Sequence, residues 1–151
     1  PQIVMSDIAE YPRELAVRLG ADVALNALDV DFEAQASALS QGGFDYVFEA
    51  SGSALALSQA IASAERGATI VQVGTLPTPV TAPLNSIMAK ELNFIGSFRF
   101  ANVFATALDL AISRRINLSA LISAVLPLSE MQKAMDLAVG KDEVVKIQIE
   151  P

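Results

Sequence analysis

Asp7 ends an apolar run, Ile3-Val4-Met5-Ser6-Asp7, and a carboxylate at a strand end can accept hydrogen bonds from two adjacent sugar hydroxyls. In that role it would also repel a phosphate on the 2′ position; otherwise Asp7 only begins a turn before a helix. Arg13, one helical turn later, either reaches the adenosine end of a nucleotide or sits solvated. Ser51-Gly52 follows a second run, Phe44–Glu49, where Gly52 lets the backbone approach a ligand and Ser51 can donate to it. Val73-Gly74-Thr75 closes a third run, where free backbone groups could hold a carboxamide. The plain alternative for both is an ordinary turn. Arg99, in Phe98-Arg99-Phe100, follows a fourth run; its forked guanidinium suits a substrate carboxylate or hydroxyls, or an interface ion pair. Glu49 closes its strand beside Ser51 and reads as structural, paired with backbone or a cation. No nucleophile–base pair stands out, so no catalytic residue is assigned within this chain.

These groups need strands to carry them. The runs at 3–7, 44–49 and 68–74 alternate with helical stretches ended by Gly20, Gly42 and Gly67. Pro12 fits the first turn of a helix whose buried stripe is Leu15, Ala16 and Leu19. Val23-Ala24-Leu25 reads as a short strand, Asp31 as the N-cap of a weaker helix, and Ser53 as the cap of one that ends before Gly67. After a loop with Pro77, Pro79 and Pro83, residues 93–98 read as another strand. Asn102 would cap a helix with Val103, Phe104, Ala107, Leu108, Ala111 and Ile112 on one face. Ser129-Glu130-Met131-Gln132 reads as a capping box, and Val144–Ile149 alternates like an antiparallel strand.

This rhythm predicts an α/β fold, a three-layer, Rossmann-like parallel sheet with right-handed crossovers. A glycine-rich phosphate loop belongs about twenty residues before the acid. Only six residues precede Asp7, and the first is Pro rather than Met. The first strand, normally central, is therefore expected to be missing along with the loop. Unpaired buried edges cost about 1–3 kcal/mol for each dry polar group, against a native stability of about 5–15 kcal/mol. The chain alone is thus expected not to close the standard sheet.

Composition narrows the partners. Hydrophobic residues make up 52% and charged residues 18%, which predicts apolar surface covered by another domain or subunit. A net charge of −7 disfavours nucleic acid and anionic membranes. No run is long enough to predict a membrane span, and the opening residues do not read as a basic, apolar signal segment. With no Cys and no His, the chain offers no thiolate or imidazole to a metal or a proton, and suits a reducing, cytoplasmic setting.

Ser6-Asp7-Ile8, Arg18–Asp22, Phe48-Glu49-Ala50-Ser51-Gly52, Val73-Gly74 and Gly96-Ser97-Phe98-Arg99-Phe100, in this order and spacing, resemble the zinc-dependent medium-chain alcohol and polyol dehydrogenases. The likeness runs over nearly the whole chain. Gly96-Ser97-Phe98-Arg99 with an aromatic and nearby Asn102 resembles the sorbitol and L-idonate 5-dehydrogenase branch. The resemblance implies that Asp7 and Ile8 hold the adenosine ribose of NAD, in preference to NADP, with Arg13 at the same end. Ser51 and Gly52 would lie along the cofactor, Val73, Gly74 and Thr75 at the nicotinamide amide, and Ser97, Phe98 and Arg99 near nicotinamide and substrate. It implies a C-terminal piece of a polyol or sugar-acid dehydrogenase, inactive alone, whose zinc ligands lie in an absent catalytic domain. Residues 1–117 would be the partial dinucleotide domain and 118–151 a segment packing on the catalytic domain. The Phe94–Phe98 edge would form a homo-oligomer interface. Pro12 stands where relatives often carry Lys or Arg, and Phe100 where polyol enzymes often have Tyr. Remaining alternatives are a zinc-independent quinone-reductase-like enzyme, an S-adenosylmethionine-dependent methyltransferase and a non-catalytic assembly segment.

Overall fold

The computed structural model describes residues 2–140 and 143–151. The chain divides into two compact units, Pro1–Leu28 with Phe100–Pro151, and Asp29–Arg99.

The first unit opens with strand β1 (Val4–Asp7), helix α1 (Glu10–Arg18) and strand β2 (Val23–Asn26). The strands pair in parallel from Val4↔Val23 to Asp7↔Asn26, as the crossover through α1 requires. Register is pinned at the start by Asp22, whose carboxylate accepts the Ile3 N–H at 2.7 Å while its own N–H donates to Ile3 O. Glu10 in the first turn of α1 and Arg18 in the last complement the helix dipole. Leu15 is buried as expected, but Leu19 is 45% exposed. It follows the last helical residue, so it has left the stripe that Leu15 occupies.

Later in this unit come helix α5 (Phe104–Ile112), strand β6 (Ile122–Pro127), helix α6 (Met131–Gly140) and strand β7 (Lys146–Glu150). Asn102 does not cap α5: it has φ of 56°, and Val103 is the capping residue, without a side-chain bond. No α5 residue is buried. The expected capping box is instead a 3-10 turn, Leu128–Glu130, with Glu130 paired to Lys133 at 2.8 Å. The final strand is parallel to β6, not antiparallel, from Ile122↔Lys146 to Pro127↔Glu150. Helix α6 carries the chain back along the sheet, so β7 must enter in the same direction as β6. Alternation marks one buried face, and Ile147 and Ile149 do alternate with exposed neighbours, but it carries no direction.

The second unit holds helix α2 (Phe32–Ser40), strand β3 (Phe44–Glu49), helix α3 (Ala54–Ser63), strand β4 (Ala64–Gln72), helix α4 (Leu84–Ala89) and strand β5 (Asn93–Gly96). The sheet order is β3-β4-β5, all parallel. Its core is Leu57, Ile61, Ala64, Ala68 and Ile70, flanked by Val47, Leu76 and Ile87. Ile70 is fully buried in the middle strand, as the near-continuous apolar run from Ile70 to Val73 predicts. Ser53 caps α3 by accepting the Ala56 N–H. The helix ends at Ser63, before Gly67 as expected, and Lys90 Nζ donates to the carbonyls of Ile61, Ala62 and Ala64 at 2.7–3.1 Å. Asp31 precedes α2 without a side-chain cap bond, and Gln41, not a glycine, takes the left-handed position at its end.

Strand pairing stays in separate sheets of two, three and two strands. Among the described residues β1 pairs only with β2, and β3 only with β4, so each keeps an open edge, as expected of a sheet without its central strand. Among the described residues no helix is long and apolar enough to cross a membrane.

Candidate nucleotide-binding turns

In the first unit, Asp7 stands at the carboxyl end of β1, where ligands bind in parallel α/β sheets. Its Oδ1 accepts the Ala9 N–H at 2.8 Å, which orients the carboxylate at the entrance to α1. Arg13 is held in this turn rather than simply solvated. Its Nη1 donates to the carbonyls of Asp7 and Ile8 at 3.0 and 2.9 Å, tying the turn to the helix. Ile8, between them, is exposed.

In the second unit the turns after β3 and β4 are built around Glu49, which is 3% exposed. Its Oε1 accepts from the Ser51 N–H at 2.9 Å, the Ser51 hydroxyl at 2.6 Å and the Gly52 N–H at 2.9 Å. Its Oε2 accepts from Gln72 Nε2. Gln72 Nε2 also donates to Gly74 O at 2.8 Å, and the Glu49 carbonyl accepts the Val73 and Gly74 N–H groups. Burial alone would raise the Glu49 pKa. The bonds from Ser51, Gln72 and Gly52 outweigh it and hold the carboxyl below its ordinary value. Glu49 is therefore an ionised anchor at neutral pH, not a proton donor.

The glycines fit this closeness. A Cβ on Gly74 would lie 2.2 Å from Gly52 N and 2.7 Å from Glu49 Oε2. Gly52 has φ of 72°, and a Cβ there would lie 2.5 Å from Thr75 O. The two turns are thus in backbone contact. Ser51 differs from expectation in one respect: its hydroxyl proton is directed at Glu49, so it does not donate outward.

A cleft of about 440 Å³ is lined by Gln72, Val73, Gly74, Thr75, Gly96, Ser97 and Phe98, within the roughly 300–1,000 Å³ of small-molecule sites. It gathers five of the expected residues at the carboxyl ends of β4 and β5. Arg99 is not among its lining; its guanidinium lies 4.7 Å from the Phe98 ring centroid, a cation–π contact. Gln72 and Gly96 are additions to the expected set. The signal for Gln72 was a single amide in an apolar strand two residues before Gly74.

A family model described as a zinc-binding dehydrogenase matches residues 2–113. This chain belongs to the zinc-binding dehydrogenase family. It is 29% identical to the L-idonate 5-dehydrogenase (NAD(P)(+)) of Escherichia coli, over 98% of this chain and 43% of the relative. It is 29% identical to the sorbitol dehydrogenase of Bacillus subtilis, over 99% of this chain and 43% of the relative. The crystal structure of the E. coli L-idonate 5-dehydrogenase superposes with a TM-score of 0.84 at 30% identity, covering 98% of this chain and 42% of that one. The chain therefore spans less than half the length of these relatives. Such neighbours confirm the Rossmann-like α/β fold.

The zinc of the zinc-binding dehydrogenase family does not fit this chain's own residues. The chain has no Cys or His, the imidazole and thiolate donors that zinc prefers. Among the described residues no three acidic groups gather closely enough to hold a metal ion.

Proposed function

We propose that this chain is the nucleotide-binding part of an NAD-dependent polyol or sugar-acid dehydrogenase whose zinc is held by residues outside these 151. The observation that carries the reading is the pair of interlocked turns at Ser51–Gly52 and Val73–Thr75 beside a cleft at the strand ends. In this reading Asp7 accepts the ribose hydroxyls, with Ile8 and Arg13 shaping that turn. The walls at Val73, Gly74, Thr75, Ser97 and Phe98 receive the nicotinamide end, and NAD supplies the hydride acceptor. The protein's part there is to orient the ring and exclude water; no group of this chain moves a proton. Arg99, beside the cleft in sequence, is assigned to a substrate carboxylate or hydroxyls, which suits a sugar acid such as L-idonate. The segment from residue 118 onward would pack on the domain that carries the metal. The β5 edge, where Phe94, Ile95 and Phe98 are exposed, would pair subunits in a homo-oligomer.

Calorimetric titration of the full-length protein with NADH, NADPH and S-adenosylmethionine tests this. NADH should bind at least about tenfold more tightly than NADPH, a difference of about 1.4 kcal/mol, and Asp7→Ser should narrow the gap. Binding of S-adenosylmethionine without NADH would sink the reading.

A further inference from the structure

Glu49 is a buried carboxylate that takes part in neither ion pair, Arg18–Glu14 or Lys133–Glu130, found among the described residues. A buried charge is costly unless hydrogen bonds replace its water, and an apolar side chain would often serve stability as well or better. Here four donors replace the water, and they come from both turns: Ser51 and Gly52 on one side, Gln72 on the other. Gln72 then passes the link to Gly74 O. The amide cannot be reversed, since its nitrogen faces two acceptors, the Glu49 carboxylate and the Gly74 carbonyl.

We propose that Glu49, acting with Gln72, is a positioning residue that locks the Ser51–Gly52 turn to the Val73–Thr75 turn and so shapes the cleft wall for the nicotinamide end of the cofactor. This rests on the nucleotide-binding reading above. Glu49 does not touch the ligand; its work is transmitted through the turns. Packing alone does not require this wiring, because the core of the unit is complete in Leu57, Ile61, Ala64, Ala68 and Ile70.

The test compares the unaltered full-length protein with Glu49→Gln and Gln72→Met, using residue-resolved amide hydrogen exchange and NADH titration. Glu49→Gln keeps the shape but sets an amide nitrogen against the Gln72 nitrogen. Gln72→Met removes the link to Gly74 while leaving Ser51 and Gly52 bonded to Glu49. In Glu49→Gln, exchange at Ser51, Gly52 and Gly74 should quicken about tenfold or more, with Ile70 and Val71 unchanged, because opening is local. The NADH dissociation constant should rise about tenfold. Gln72→Met should quicken exchange at Gly74, now held only by its bond to the Glu49 carbonyl, without quickening Ser51 or Gly52, and carries the test if Glu49→Gln does not fold. Exchange that rises throughout β3 and β4 in step with a lower melting temperature would overturn the proposal, leaving Glu49 a packing residue. Unchanged turns and unchanged affinity would overturn it as well. If the unaltered protein bound no NADH, the nucleotide reading would fall, and the exchange arm would still decide whether Glu49 orders the two turns.

Discussion

Gly52 and Gly74 meet where two turns come closer than any side chain permits, so substitution there has a sharp expected outcome. Gly74→Ala places a methyl 2.2 Å from Gly52 N and should cost about 1–3 kcal/mol or more, as overpacking does. Gly140→Ala, with nothing within 4 Å among the described residues and no positive φ, should stabilise by about 0.4–1 kcal/mol through the unfolded state. Urea midpoints measure both, and opposite signs are expected. Glu49 adds a pH dependence. Its folded pKa is lowered by its donors, so its contribution is fully present above the ordinary carboxylate value, about 4.3. It is lost as pH falls through the lower folded value. The stability gap between wild type and Glu49→Gln should therefore shrink between about pH 6 and about pH 3; a gap that widens on acidification would contradict the assignment.

At the scale of elements, the end of α3 shows how a distant residue can cap a helix. Three carbonyls at the helix end converge on the Lys90 ammonium, which satisfies groups that the last turn leaves unpaired and complements the helix dipole. Lys90→Met should cost about 1.5–3 kcal/mol, the range for hydrogen bonds to a charged group. It should also raise amide exchange at the start of β4 before that of its centre. Denaturant titration and exchange together check this. A loss confined to unfolding free energy, with no local opening, would mean that the lysine stem packs rather than caps. Helix α5 is the contrasting case: Phe104, Leu108 and Ile112 lie on one face as their spacing predicts, yet all are exposed.

At the scale of the whole molecule, open edges and uncovered apolar residues recur in both units. Among the described residues β1 and β3 each have a strand on one side only. Tyr46 and Phe48 on β3, and Phe94 and Ile95 on β5, are exposed. Such edges are templates for pairing with other chains. Residues 1–151 expressed alone should therefore self-associate or melt broadly, and should show no dehydrogenase turnover when NAD and zinc are supplied. Sedimentation, a thermal scan and an assay with L-idonate and sorbitol measure this. A monomer with a sharp two-state melt would count against the expectation of an unclosed sheet. Turnover would overturn the placing of catalysis outside this chain.

The sequence by itself determined the parallel α/β class, strands β1 to β5, and the cluster of small and polar residues at their ends. Those follow from local causes: apolar runs of strand length, Gly at turns, Ser53 at a helix start. The placing of Asp7, Val73–Thr75 and Ser97–Phe98 at strand ends was legible because the same apolar runs fix where strands end. Tertiary structure alone decided the direction of β7, since alternation is identical in parallel and antiparallel strands. It decided that Arg13 binds carbonyls of its own turn, that Leu19 and α5 stay uncovered, and that Lys90 caps the end of α3. It also decided that the Ser51 proton, the Gly52 N–H and the Gln72 amide all converge on Glu49. Hydrogen-bond partners twenty or more residues apart are chosen by where strands lie in space, and a linear pattern holds no record of that distance.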